Sequence, residues 1–170
     1  MSRFLSKASE SLLSYTPGEQ PQGRKFIKLN TNECPYPPSP KVAEAILAGY
    51  EENSSKIMPL ELANLRLYSD PEERVLIEAI ADHYGVGTNQ VIAGNGSDEI
   101  LGFAFRAFCD QNAPLQFADL TYGFYPALCG LYGIPFKVVP LEEDFTLNIE
   151  PYKNCGNNVI IANPNAPTGM

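Results

Sequence analysis

Residues 159–169 read VIIANPNAPTG, and this stretch indicates both a fold and a site. The four apolar residues 159–162 are typical of a strand buried in a sheet, and the Asn, Pro and Gly residues after them are typical of a turn. In open α/β sheets, ligands bind outside the carboxyl ends of the strands. The stretch therefore predicts a buried strand that ends in a candidate binding loop.

Upstream of this stretch, short apolar runs alternate with helical patterns. The predicted strands are 91–93, 115–118, 136–139 and 158–162, and the predicted helices are 39–50, 70–85, 97–109 and 124–132. Asp70-Pro71 is a helix-start signal because Asp favours the N-cap and Pro the first turn. Strands that alternate with helices form a mostly parallel, helix-covered sheet. We therefore expect an α/β fold.

The spacing of apolar residues predicts which helix faces point inward. On the helix that follows Asp70, the predicted face is Val75, Leu76, Ala79, Ile80 and His83. On the helix that begins at Ser97, it is Ile100, Leu101, Ala104, Phe105 and Phe108. Before them, residues 4–15 read as a short amphipathic helix, and the Pro- and Gly-rich residues 16–40 read as an extended arm.

Composition limits the possible functions of the chain. The 170 residues include 12 Lys and Arg against 20 Asp and Glu, a net charge of −8, which argues against nucleic acid as a partner. We expect no membrane span and no signal peptide, because the apolar runs are short. Four cysteines without a C-x-x-C pair and a single His predict free thiols, no metal site and a cytoplasmic protein.

Gly94-Asn95-Gly96-Ser97-Asp98-Glu99 joins a predicted strand to a predicted helix. Glycine lets the backbone turn tightly, and the first N–H groups of a helix form a site that favours anions. The segment therefore predicts a phosphate-binding turn. Two other interpretations stay open at this point: an ordinary capped turn, and a hairpin turn at Asn95-Gly96.

Thr121-Tyr122-Gly123-Phe124-Tyr125 follows the predicted strand 115–118. An aromatic side chain at the carboxyl end of a strand is able to stack on a flat ring. Phe124 and Tyr125 are better explained as core residues, whereas Tyr122 is the stacking candidate. Tyr68, beside Arg66, could meet a phosphate, although a solvated approach to a helix explains the same residues.

Five motifs together resemble the class I/II aminotransferases that use pyridoxal phosphate (PLP) and have fold type I, in particular the histidinol-phosphate aminotransferases. The motifs are Leu29-Asn30-Thr31-Asn32-Glu33-x-Pro35-Tyr36, Tyr68-x-Asp70-Pro71, Gly96-Ser97-Asp98-Glu99, Thr121-Tyr122-Gly123-x-Tyr125 and Asn163-Pro164-Asn165-x-Pro167-Thr168-Gly169. The resemblance covers essentially the whole chain. It implies residues 1–38 as an N-terminal helix and arm, and 39–170 as the first part of the PLP-binding large domain.

The resemblance also implies roles for individual residues. Gly96, Ser97 and Asp98 would hold the PLP phosphate, and Tyr122 would stack on the pyridine ring. Tyr68 is similar to the tyrosine that reaches the cofactor of the partner subunit, which implies a homodimer. The substrate pocket would be bordered by Tyr15, Asn32, Glu33 and Tyr36.

Two positions depart from the family pattern. Ala166 stands where the family often has an Asn that binds the phenolic oxygen of the cofactor, so either Asn165 or a water molecule would replace that contact. Cys34 stands where the arm commonly carries Asn, and a thiol is a poor hydrogen-bond donor.

The complete enzyme is expected to transfer an amino group between histidinol phosphate and 2-oxoglutarate, in histidine biosynthesis. The family's Schiff-base lysine follows the Asn-Pro-Asn-x-Pro-Thr-Gly motif, so we expect the chain to be an N-terminal half that is inactive by itself. The alternatives are another class I/II enzyme, such as an aromatic aminotransferase or a threonine-phosphate decarboxylase, and a non-catalytic truncated product.

Overall fold

The computed structural model describes residues 12, 23, 27, 29, 31, 33–44 and 68–170. Gly94–Met170 forms most of one compact unit, and Pro17–Ala93 is a second unit. The predicted N-terminal helix 4–15 lies outside the described residues except at residue 12. The predicted division between 1–38 and 39–170 concerns the complete protein and stays a prediction.

The unit around Gly94–Met170 is built on a parallel three-stranded sheet. Its strands are β1 (Leu115–Ala118), β2 (Phe136–Val139) and β3 (Asn158–Val159), in the spatial order β2-β1-β3. Leu115 pairs with Phe136 on one side and with Asn158 on the other. Parallel neighbours place their carboxyl ends at the same edge, so the loops after β1 and β3 lie side by side.

The first helix of this unit, α2 (Ser97–Phe108), begins and ends one residue or less from its prediction. Asp98 and Glu99 lie in its first turn and Arg106 in its last, which matches the helix dipole. Phe105 is buried with 2% exposure, as predicted, whereas Phe108 is 71% exposed. The predicted inward face is therefore too wide at its carboxyl end.

The second helix, α3 (Phe124–Tyr132), connects β1 to β2. It ends at Gly133, whose positive φ of 66° lets its N–H reach the Cys129 and Gly130 carbonyls. Tyr125 of α3 packs against Phe105 and Phe117, with ring centroids 6.1 and 5.8 Å apart. Such aromatic pairs add about 0.5–1.5 kcal/mol each beyond the area that they bury, so they join α2, α3 and β1 in one core.

A buried polar side chain anchors the central strand. Gln116 in β1 has 0% exposure. Its amide nitrogen donates to the Pro151 carbonyl at 2.9 Å, and its amide oxygen accepts from Asn157 at 3.1 Å. These bonds fix the chain between β2 and β3 to the sheet and so help to set the register of β3.

In the unit Pro17–Ala93, the helix predicted after Asp70 begins later than expected. Helix α1 spans Arg74–Tyr84, and its N-cap is Glu73 with φ 49°. Asp70 still holds the residues just before the helix, because its carboxylate accepts from the Glu72 and Arg74 N–H groups. Arg74 also forms an ion pair with Asp70 at 2.8 Å, and the Arg74 guanidinium holds the pKa of Asp70 below its usual value.

The inward face predicted for α1 is wrong except at Ile80. Ala81 is buried and Ile77 and Ile80 are half-buried, whereas Val75 and Leu76 are 83% and 51% exposed. Two neighbouring apolar faces satisfy the same helical period, and the period alone does not choose between them. Contacts with the rest of the unit make that choice.

Two predicted strands also differ from the structure. Residues 91–93 form no strand, and Ile92 is 67% exposed. An extended segment becomes a strand only where a neighbour accepts its hydrogen bonds, and no described strand pairs with it. The last predicted strand is shorter than expected, since only Asn158–Val159 pair, although the Ile160 N–H still donates to the Gln116 carbonyl at 3.1 Å.

The predicted helix 39–50 is described only in its first part. Residues 40–44 are helical, and the Val42 N–H donates to the Ser39 carbonyl at 2.9 Å. Among the described residues, the helices are all too short or too polar to cross a bilayer.

Candidate functional site

Three segments meet at one end of the sheet in the unit around Gly94–Met170. They are the start of α2, the turn after β1 and the turn after β3. A hydrogen bond of 2.7 Å joins Tyr122 to Asp98, and another of 2.7 Å joins Thr121 to Asn165. The carboxyl ends of parallel strands are the usual ligand-binding edge of such a sheet, so this junction is the candidate site.

The start of α2 has the geometry of an anion site. Gly96 is its N-cap, with φ 83° and ψ 169°, and no described side chain caps the helix. The first N–H groups of a helix lack partners within the helix and point outward along the axis. Within the described residues, a Cβ placed on Gly96 has no atom within 4 Å, so there is open space beside the N-cap of the helix.

The two acidic side chains of this first turn are held by protein donors. The Asp98 carboxylate accepts from the Tyr122 hydroxyl, and the Glu99 carboxylate accepts from the Asn95 N–H at 2.6 Å. Glu99 thereby closes the loop that carries Gly96. A Cβ on Gly94 would lie 2.9 Å from that same Glu99 carboxylate, so Gly94 leaves the room that this contact needs.

Tyr122 lies between the helix start and the core. Its ring is half-buried and meets the ring of Tyr125 edge-on, with centroids 5.7 Å apart. Its hydroxyl is fixed on Asp98. The ring is thus held from both ends beside the N-terminus of α2. This position suits a side chain that stacks on a flat ligand whose anionic group sits on the helix.

Asn165 ties the turn after β3 to the turn after β1. Its amide oxygen accepts from the Thr121 hydroxyl at 2.7 Å. Its amide nitrogen donates to the Leu120 carbonyl at 2.9 Å and to the Thr168 hydroxyl at 3.0 Å. An amide nitrogen has two hydrogens, and both are used here. A donated contact from Asn165 to a ligand would replace one of these bonds.

A cavity of about 170 Å³ lies next to this junction. Thr121 and Asn165 line its polar side, and Leu141, Phe145 and Leu147 from the chain after β2 line its apolar side. Asp119 shapes the same end of the sheet, because its carboxylate accepts from the Leu120 and Leu141 N–H groups at 2.8 and 3.0 Å.

The other predicted site residues belong to the second unit or lie outside the described residues. Tyr68, Tyr36 and Glu33 belong to the unit Pro17–Ala93 and are exposed. Tyr15 and Asn32 lie outside the described residues. Their predicted roles therefore stay predictions, whereas Gly96, Ser97, Asp98, Tyr122 and Asn165 all fall within one unit.

Sequence reasoning missed Thr121 and the side chain of Glu99. Thr121 is the donor that holds Asn165, and Glu99 holds the loop before α2. A signal for Thr121 did exist, because it follows the carboxyl end of a strand that neighbours the strand before Asn165. Glu99 lies at the third helical position, where a carboxylate commonly reaches back to the chain before the helix.

Comparisons with known proteins identify the family. The model of the family described as aminotransferase class I and II matches residues 24–170. The chain is 47% identical to the histidinol-phosphate aminotransferase of Pseudomonas putida strain W619, over 99% of this chain and 45% of that protein. It is 49% identical to histidinol-phosphate aminotransferase 1 of Methylococcus capsulatus, over 99% of this chain and 44% of that protein.

The fold of the chain is similar to that of a solved histidinol-phosphate aminotransferase. The chain aligns with histidinol-phosphate aminotransferase from Sinorhizobium meliloti, solved in complex with pyridoxal-5'-phosphate, at a TM-score of 0.74 and 24% identity. The alignment covers 98% of this chain and 44% of that one. The chain thus spans about 45% of the length of the curated relatives it matches. The parallel sheet, the covering helices and the match over residues 24–170 establish that the chain belongs to the class I and II aminotransferases.

Proposed function

We propose that this chain is the cofactor-phosphate half of a PLP-dependent aminotransferase that acts on histidinol phosphate. The observation that carries the proposal is the hydrogen bond of 2.7 Å between Tyr122 and Asp98. It fixes an aromatic ring beside the N-terminus of a 12-residue helix. A phosphorylated aromatic cofactor would use both features in one site, the helix N-terminus for its phosphate and the aromatic side chain for its ring.

The residues present fit that group. The helix start has no side-chain cap among the described residues, and the space above Gly96 is open. The phosphate would bind at the N–H groups of Ser97 and Asp98, with the Ser97 hydroxyl beside it. Both carboxylates of the first turn already have protein donors, so each is held by a contact within the protein before a ligand arrives.

Tyr122 would cover one face of the cofactor ring. Its half-buried position and its contact with Tyr125 limit the tilt of its ring. Bound PLP supplies an electron-withdrawing ring that acidifies the Cα proton of an amino acid. The residues of this chain bind the phosphate and orient the ring, whereas the proton-transferring lysine would come from elsewhere in the complete protein.

The substrate and the assembly are further parts of the proposal. Relatives at 47–49% identity carry the name histidinol-phosphate aminotransferase, which supports histidinol phosphate as amino donor and 2-oxoglutarate as acceptor. Tyr68 is fully exposed in this chain, as expected of a side chain that reaches a partner subunit's cofactor in a homodimer. Tyr15, Asn32, Glu33 and Tyr36 would border the substrate, and the reaction would take place in the cytoplasm.

The test uses the full-length protein that contains this chain. PLP is added to the cofactor-free protein and its binding is measured by absorbance, and then glutamate formation from 2-oxoglutarate is measured with different amino donors. We expect kcat/KM for histidinol phosphate to exceed that for phenylalanine by at least about tenfold.

Each other outcome points to a different function. PLP binding with phenylalanine as the better donor would assign an aromatic aminotransferase. Carbon dioxide release from threonine phosphate would assign a decarboxylase. A full-length protein that binds no PLP would overturn the proposal and leave a non-catalytic role.

A further inference from the structure

We propose that Asn165 is a positioning residue, whose side chain locks the turn after β1 to the turn after β3 and thereby sets the place of Tyr122. The inference rests on the proposed function for its effect on PLP, but the lock itself is a property of this chain. Its members are Leu120, Thr121, Asn165 and Thr168, and we call them the amide lock.

The amide lock uses the whole hydrogen-bonding capacity of the Asn165 nitrogen. The amide donates to the Leu120 carbonyl and to the Thr168 hydroxyl at 2.9 and 3.0 Å. It accepts from the Thr121 hydroxyl at 2.7 Å. The side chain is half-buried. The bonds to Thr121 and Thr168 are partly buried, whereas the bond to the Leu120 carbonyl is exposed. Loss of the two partly buried bonds leaves hydroxyl groups without these partners where water is partly excluded.

Two of the lock's partners directly precede Tyr122 in the chain. Leu120 contributes its backbone carbonyl and Thr121 its side chain, so the lock holds the backbone on the amino-terminal side of the ring. The Tyr122 hydroxyl is held separately by Asp98 at the start of α2. The ring is therefore fixed at its tip by one element and at its base by another.

The lock also explains why Asn165 is poorly suited to act as a direct cofactor ligand. Its two amide hydrogens are both committed to protein acceptors. A ligand contact would break one of them and release Leu120 or Thr168. In this proposal Asn165 orients Tyr122, which binds the cofactor, and does not itself donate a hydrogen bond to the cofactor.

The test compares Asn165→Ala with Thr121→Val in the full-length protein. Thr121→Val keeps the shape of the side chain but removes the donor to Asn165. We expect each variant to raise the Kd for PLP about tenfold, and the double variant to raise it no further, because both break one unit. Thr121→Ser keeps the hydroxyl and is expected to bind PLP like the unchanged protein.

Two measurements distinguish a loss of the position of Tyr122 from a general loss of structure in the protein. Amide hydrogen exchange of residues 120–123 in the cofactor-free protein is expected to rise in Asn165→Ala and in Thr121→Val. The circular dichroism of bound PLP is expected to weaken, since it reports the orientation of the ring in the site. The matched control is Asn148→Ala in the chain after β2, which removes two exposed bonds, one donated to Glu142 and one accepted from the Glu150 N–H, and is expected to change neither readout.

The outcomes distinguish this inference from the proposed function. If Asn165→Ala weakens PLP binding while Thr121→Val does not, Asn165 is a ligand and the lock is wrong. If PLP binds and neither variant alters affinity or exchange, the lock is wrong and the proposed function stands. If the unchanged protein binds no PLP, the proposed function fails, and exchange at residues 120–123 still decides the lock.

Discussion

Tyr122 shows how one hydroxyl changes the role of a residue. Stacking needs only the ring, and Phe would supply it. The hydroxyl adds a contact that Phe lacks. It donates to Asp98 at 2.7 Å and so fixes the ring beside the start of α2. The residue is therefore better described as a positioned ring than as an aromatic surface.

We expect Tyr122→Phe to weaken PLP binding several-fold. A hydrogen bond to a carboxylate contributes about 1.5–3 kcal/mol, and its loss lowers the free energy of PLP binding by a part of that amount, because the bond acts on PLP only through the position of the ring. The measurement is PLP titration of the full-length protein by absorbance. Tyr132→Phe is the matched control, since Tyr132 is a half-buried tyrosine of α3. An equal loss in both variants would contradict the role of the Asp98 contact.

The cysteines differ in burial, and we expect them to differ in reactivity for that reason. Cys129 is 1% exposed, and burial raises the pKa of its thiol to about 11, with a smaller contribution from Cys109. Cys34 is exposed. The reactive species is the thiolate, and a raised pKa means that Cys129 keeps its proton until the pH rises past its ordinary value toward 11.

We therefore expect an alkylating reagent at pH 8 to modify Cys34 in the folded protein and to leave Cys129 intact. Mass spectrometry of the digested chain measures both sites. In denaturant both are expected to react, which is the control for reagent access. Comparable labelling of Cys129 before and after denaturation would show that the core opens readily.

At the level of elements, helix α2 depends on the conformation of the residue before it. Gly96 has φ 83° and ψ 169°, a region that is essentially reserved for glycine. A Cβ there meets nothing within 4 Å. The constraint is therefore the backbone conformation itself, and it directs the first N–H groups of α2 toward the site.

We expect Gly96→Ala to lower the stability of the full-length protein by about 1–3 kcal/mol, and to weaken phosphate-dependent PLP binding. Urea unfolding and PLP titration measure the two effects. Gly130→Ala within α3 is the control, because its Cβ would only touch Leu12 at an ordinary 3.6 Å and Ala favours a helix by about 0.5–1 kcal/mol. Equal stability of the two variants would refute the conformational argument.

At the level of the whole molecule, the chain contains the proposed phosphate and ring site, and none of its seven lysines has an assigned catalytic role. It spans about 45% of the length of its relatives. Transamination by such enzymes needs a lysine that carries the proton, in addition to the groups that hold the cofactor.

We expect the purified 170-residue chain to show no transaminase activity with histidinol phosphate and 2-oxoglutarate. The full-length protein serves as the positive control, and glutamate formation is the readout. Activity of the 170-residue chain above that of a lysine-blocked sample would show that one of its own lysines suffices.

Local sequence patterns predicted most of the helices and strands, but they predicted less well which side of each helix is buried. Strands 115–118 and 136–139 and helix 124–132 coincide with the structure. They are short and strongly patterned, and each is directly preceded by Pro or Gly. The face of α1 and the strand 91–93 were wrong, because both depend on which neighbour covers them, and local periodicity carries no information about neighbours.

The sequence by itself determined the α/β class, the parallel sheet, the glycine turn before α2 and the aromatic after β1, since each follows from residue types at fixed local spacing. Only the tertiary structure placed the Tyr122 hydroxyl on Asp98 and the Asn165 amide on Leu120 and Thr121. These pairs are 24 and 44 or more residues apart in the chain. Asn165 meets Leu120 and Thr121 because the parallel strands β3 and β1 bring their carboxyl ends to one edge. Tyr122 meets Asp98 because helix α2 packs against helix α3, which Tyr122 precedes.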